Sequence, residues 1–231
     1  MDNKTESFSE LIRRCCSSGQ VNILGVAGQA GAGKTNHVSP LIAAEANKFD
    51  FPVEILRLDA FFKLSSSDRK NWIEEGLRIS PQEAAVRQNM LNWWDFKAAE
   101  AAIEKLRQKE PLHLTNVYNR ADGGNLTGEV RIDPPEKGML LIFEGVAICH
   151  LDGIDHLMYV YASPEVRLER LRQRDKHRQG QEVLDRFALT ESFERSYFSE
   201  HWGKINSFVD NSVDSPKVLG PMSYNFAFGI S

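Results

Sequence analysis

The stretch "GVAGQAGAGKTN" at residues 25–36 constrains this chain more than any other. Glycine loses the most backbone freedom on ordering, so a helix or strand through four of them would be costly. A bound anion offsets that cost. Small residues let successive N–H groups turn inward, and a helix starting behind them points its positive end at the same place. "GQAGAGKT" matches the phosphate-binding loop pattern with Gly28, Gly33, Lys34 and Thr35 in register. In that pattern the nucleotide lies along Gly28, Gln29, Ala30, Gly31, Ala32, Gly33, Lys34, Thr35 and Asn36. Lys34 neutralises the β- and γ-phosphates, and Thr35 is a ligand for Mg²⁺. The bland alternative is a glycine-rich turn before a helix. The context argues against it: "VNILGVA" (21–27) is an apolar run suited to a strand buried on both faces, and "HVSPLIAAEANKF" reads as a helix with Pro40 a local irregularity.

The same punctuation runs along the chain. Ser7 followed by Glu10 is a capping box for a short helix to about Ser18, stopped by Gly19. "VEILRLD" (53–59) is a second strand. "SPQEAAVRQNML" and "DFKAAEAAIEKLRQKE" read as helices, the first opened by Ser80-Pro81. "LHLTNVYNR" is extended, and the Gly123-Gly124 and Thr127-Gly128 pairs place turns in a β-hairpin lobe at about 112–136. "MLLIFEGVAI" (139–148) is a central strand and "HLMYVYA" another. Ser163-Pro164 opens a charged helix, and a long helix is expected over about 183–208. Strands alternating with helices imply an α/β fold with a mostly parallel sheet covered on both faces.

Two acids fall at strand ends, where open α/β sheets bind ligands. Asp59 in "RLDAFFK" either takes the proton of an attacking hydroxyl or caps the next helix. Phe61 and Phe62 either wall an acceptor pocket or belong to the core. Glu144 in "LLIFEG" is a candidate for the Mg²⁺ shell, or an ordinary strand-end acid beside Gly145. Arg167, Arg170, Arg174 and Arg178 recur at spacings of 3, 4 and 4, which puts them on one helical face. Such a stripe is either solvated among Glu165, Glu169 and Asp175, or a lid that closes on a triphosphate. Trp93 and Trp94 cover the helix starting at Asp95 or stack on an acceptor.

Composition removes several classes. The net charge of −4 does not suit a general nucleic-acid binder. The three cysteines, Cys15, Cys16 and Cys149, have no metal-ligand spacing and read as reduced thiols, and the histidines show no metal pattern. No apolar run approaches the roughly 20 residues of a membrane span, and the charged N-terminus lacks a signal peptide's apolar core. A soluble, cytoplasmic protein is expected, without nucleic-acid or membrane partners and with a homo-oligomer left open.

Taken in order, "GQAGAGKT", "RLDAFFK", "WWDFKAAEAAIEKL…VYNR", "LLIFEGVAI" and "VRLERLRQRDKHRQG" resemble the uridine kinase/phosphoribulokinase-like family of P-loop small-molecule kinases, which includes bacterial pantothenate kinases. The resemblance runs from about residue 21 to 208. It implies a single P-loop NTPase domain over 1–231, a three-layer α/β/α fold with an arginine-rich lid at about 164–182, and ATP with Mg²⁺ as cofactors. It makes Asp59 the catalytic base, assisted by Lys34, Arg170 and Arg174, and Glu144 the acid near the metal. Asp59, Phe62, Tyr118 and Arg120 then face the small-molecule hydroxyl acceptor. The acceptor side departs from the uridine kinase pattern: Phe62 and Asn119 replace a tyrosine and an aspartate, the base-reading histidine is absent from "NRADGGN", and "QNMLNWW" stands where those enzymes have "D-H-P". The alternative is a nucleotide-hydrolysing switch or ATPase module that acts through a protein partner.

Overall fold

A computed structural model describes residues 5–174, 180–213, 216–220 and 223–228. Its elements in chain order are β1 (Thr5–Glu6), α1 (Phe8–Cys15), β2 (Val21–Gly28), α2 (Ser39–Asn47), β3 (Val53–Arg57), α3 (Ser66–Ile79), α4 (Pro81–Gln88), α5 (Phe96–Arg107), β4 (Leu112–Asn119), β5 (Asn125–Ile132), β6 (Met139–Glu144), β7 (His156–Tyr161), α6 (Pro164–Arg174), α7 (Gln181–His201), β8 (Ser207–Asp210), β9 (Lys217–Leu219) and α8 (Tyr224–Phe228). A seven-stranded sheet takes the order β1-β9-β8-β7-β2-β6-β3. The five strands from β8 to β3 are parallel, and β9 and β1 join antiparallel at one edge.

Alternation along the central strands divides the core into two layers. Ile23, Leu141, Phe143, Leu157 and Tyr159 face one side, where Ala99, Ile103 and Leu106 of α5 and Phe198 of α7 pack on them. Leu24, Val26, Ile142, Met158 and Val160 face the other, against Leu11 and Ile12 of α1 and Ile42 and Ala46 of α2. This is the three-layer α/β/α arrangement the alternation implied. Every residue of β2 is buried, as its unbroken apolar run requires.

Local chemistry sets the element ends. The Ser7–Glu10 capping box forms, with the Ser7 N–H donating to the Glu10 carboxylate at 2.8 Å. Residues 34–38 make a single π-helical turn before α2, and Pro40 sits in that helix's first turn, where its missing N–H costs little. Three expectations are corrected. Thr127-Gly128 lies inside β5; the hairpin turns at residues 120–124, where Gly123 and Gly124 supply positive φ. The final helix ends at His201, and Ser207–Asp210 is a strand beside β7 rather than more helix. The helix from Ser80-Pro81 stops at Gln88, with Asn89 extended. A further helix, α3, precedes it, capped by the Ser65 hydroxyl on the Asp68 N–H.

Candidate active site

The parallel register brings the candidate residues to one edge of the sheet. Val26 of β2 and Arg57 of β3 both stand opposite Glu144, the last residue of β6. The phosphate loop leaves β2 at that edge, and Asp59 follows β3 by two residues in a short 3-10 turn, Leu58–Phe61. Asp59 does not cap a helix; its carboxylate accepts a hydrogen bond from Arg120 at 3.1 Å.

Two glycines in the loop are required by close approach. A Cβ on Gly31, at φ +80°, would sit 2.7 Å from the Arg167 carbonyl, and one on Gly33, at φ +91°, would sit 2.3 Å from the Asn211 amide. The Asn211 side chain, fully buried, explains the second contact. It donates to the Ala32 carbonyl at 2.7 Å and pairs with the His37 ring at 2.7 Å. At the start of the following helix the N–H groups of Gly33, Lys34 and Thr35 donate to no group among the described residues. Lys34 folds back on the loop, its ammonium donating to the carbonyls of Gly28 (2.6 Å) and Gln29 (3.0 Å). Burial lowers its pKa to about 8, opposed by the negative charges of Glu194, Glu144 and Asp59; the positive charge of Arg174 also lowers it. One cation therefore feels the acids of three separate elements.

Glu144 is buried and accepts from three donors. The Thr35 hydroxyl reaches it at 2.7 Å, the Ser39 hydroxyl at 2.6 Å and the Arg57 guanidinium at 3.0 Å. A hydroxyl paired with a carboxylate at a helix start is a hard oxygen set of the kind Mg²⁺ prefers. The orphan loop amides, the folded lysine and this oxygen pair fit a nucleotide with its magnesium.

The arginine stripe divides. Arg167 is buried and pairs with Glu191 and, at 3.8 Å, with Glu194, so it serves as an internal strut between α6 and α7. Arg170 donates to the carbonyls of Ala32 (3.2 Å) and Asn211 (3.0 Å) and so ties α6 to the phosphate loop. Arg174 is exposed at the end of α6. Asp175 and Arg178 lie outside the described residues, as does the middle of the expected lid. Sequence reasoning missed Glu194. This fully buried carboxylate on α7 accepts the Ala30 N–H at 3.0 Å, and burial pushes its pKa up to about 7. Nothing in "ESFERSYF" marks it, because a glutamate in a long helix normally faces water.

On the acceptor side Phe61 joins the core, while Phe62 stacks on Trp94 with ring centres 5.0 Å apart and meets the edge of Tyr118 at 5.0 Å. Trp94 is buried, and Trp93 donates from its indole to the Arg87 carbonyl at 2.9 Å. The β4–β5 hairpin brings Tyr118 against this cluster and Arg120 to Asp59.

Solved structures share this architecture. A candidate fructose transport system kinase from Silicibacter sp. TM1040 superposes with a TM-score of 0.61 over 82% of this chain and 94% of its own, at 16% identity. The phosphoribulokinase of Rhodobacter spheroides superposes at 0.57 over 84% of this chain and 71% of its own, at 14% identity. This chain has the fold of the phosphoribulokinase-like P-loop kinases. At such identities the likeness is one of fold. No family profile and no curated protein matches the sequence. Among the described residues no helix of this P-loop kinase fold is long and apolar enough to cross a membrane.

Proposed function

We propose that the chain is a cytoplasmic, single-domain kinase that transfers the γ-phosphoryl group of ATP to a hydroxyl of a small metabolite. The observation that carries this reading is the convergence of Lys34, Glu144 and Asp59 at one sheet edge, with the Arg120 hairpin and the aromatic cluster beyond Asp59. Lys34 and the N–H groups of Gly33 and Thr35 bind the phosphates, after the lysine has left the Gly28 and Gln29 carbonyls. Thr35 and Glu144 would hold Mg²⁺, which supplies charge neutralisation and orientation of the phosphates when bound. Asp59 accepts the proton of the attacking hydroxyl. Arg120 orients that carboxylate, and Phe62 and Tyr118 wall the acceptor. Arg170 and Arg174 place positive charge where the transferring group develops negative charge.

ATP consumption measured against nucleosides, pantothenate, sugars and sugar phosphates tests this. Acceptor-stimulated turnover is expected, falling by at least about 100-fold in Asp59→Asn, the usual scale for a lost general base. Hydrolysis that no acceptor stimulates and that Asp59→Asn leaves intact would instead favour the nucleotide switch.

A further inference from the structure

Beyond Asp59 lies a cation with no part in handling ATP. Arg69, on α3, is caged by rings: its guanidinium carbon is 4.2 Å from the centre of Phe62, 5.0 Å from Trp93 and 6.0 Å from Tyr118. Its Nη1 is buried and meets no hydrogen-bond partner among the described residues. The nearby carboxylates are engaged elsewhere, Asp59 by Arg120 and Asp68 by the Ser65 hydroxyl. A guanidinium has five N–H donors; the Tyr118 hydroxyl engages this one and Asp59 adds a favourable charge, but ring faces accept the remaining donors poorly. A charged donor taken from water and left without an acceptor is costly, and folds seldom carry one without a reason.

The same side chain lines a cleft of about 250 Å³, together with Lys63, Trp72, Asn92 and Trp93. The volume suits a small metabolite. Lys63 adds a second positive charge; its ammonium touches only the Asn92 carbonyl, at 3.2 Å, among the described residues. Hence the aromatic flank that faces Asp59 presents two cations and no carboxylate of its own. A neutral sugar or nucleoside would leave the buried Nη1 of Arg69 without an acceptor, while Lys63 stands exposed at the cleft's rim.

We propose that Arg69, assisted by Lys63, binds an oxyanion carried by the acceptor, so that the substrate is a hydroxy compound bearing a carboxylate or a phosphate. This rests on the kinase reading of the site and narrows it. Guanidinium matches either oxyanion in a forked, two-bond geometry. A site built around a buried charge rejects the neutral analogue strongly, because that analogue leaves the charge unpaired.

Trp72 and Trp93 make the cleft report its own occupancy by fluorescence, independently of turnover. The protein, with Mg²⁺ and a non-hydrolysable ATP analogue, is titrated with matched pairs, glycerate against glycerol and fructose 6-phosphate against fructose, and with inorganic phosphate alone. ATP consumption is followed in parallel on the same pairs. A saturable response to an anionic probe is expected, with its neutral partner at least about 100-fold weaker. Arg69→Met is expected to remove most of that preference, and Arg69→Lys to restore part of it. Melting curves confirm that both variants are folded, and the two variants together separate charge from packing. Response to glycerate but not fructose 6-phosphate would identify the carboxylate, and the reverse the phosphate. Neutral probes binding as well as anionic ones, silence toward every anion including inorganic phosphate, or an unchanged preference in both variants would overturn the proposal. Anion binding that depends on Arg69 without turnover would sink the kinase reading, and with it the ligand's role as acceptor, while leaving the oxyanion site at Arg69. Turnover of a neutral acceptor would do the opposite.

Discussion

Glu194 shows how far a single side chain can stand from its residue type's habits. A carboxylate with no exposed surface holds the Ala30 N–H and lies 3.8 Å from the Arg167 guanidinium. Burial raises its folded pKa from the ordinary 4.5 to about 7, so the fold disfavours the ionised form. The sign follows: the stability linked to a proton on Glu194 is full below about pH 4.5 and is lost as pH rises to about 7. Glu194→Gln keeps an acceptor for Ala30 but cannot titrate. The melting temperature of wild type minus that of the variant should therefore fall across this window; a pH-independent difference would show that Glu194 does not titrate there. At this scale the motif residues were legible because their chemistry is local. Lys34, Thr35, Glu144 and Asp59 announce themselves by loop pattern or strand end. Glu194, Asn211 and Arg69 do not, since each is defined by what the tertiary fold places over it.

The spacing of Arg167, Arg170, Arg174 and Arg178 predicts one helical face, but a face says nothing about what covers it. Here α7 covers its N-terminal part with Glu191 and Glu194, which turns Arg167 inward, and only Arg174 is left exposed. Arg167→Met would leave the buried Glu194 without its guanidinium neighbour and Glu191 with Arg195 alone, a loss on the order of 3–5 kcal/mol for a broken buried pair. Adding Glu194→Gln should recover part of it, so that the double variant is destabilised by less than the sum of the singles in urea unfolding. Strict additivity would mean that the two side chains do not interact. Other elements were hidden for a different reason. β8 and β9 are four and three residues long, too short for periodicity to register. By contrast α3 did carry its start signal, Ser65 followed three residues later by Asp68, in a stretch otherwise rich in charge.

For the whole molecule, the alternation of strand and helix determined the layer architecture but not the strand order. Order depends on which strands meet after the chain has crossed over, and β6 inserts between β2 and β3 only through contacts distant in sequence. That insertion is what aligns the phosphate loop, Glu144 and Asp59 on one edge, and it makes the proposed nucleotide site a property of the assembled sheet. A nucleotide that binds only the folded chain stabilises it by about 2.7 kcal/mol at 100 times its dissociation constant. For a domain of this size that raises the melting temperature by about 5–10 °C. Lys34 holds two carbonyls of its own loop, so part of the energy of binding a phosphate there goes into displacing it. Lys34→Met removes both the displaced contact and the phosphate contact. It should cancel most of the shift produced by ATP and Mg²⁺ in a thermal-melt assay while the variant still melts cooperatively. A full shift in Lys34→Met would mean that the nucleotide sits somewhere other than this loop.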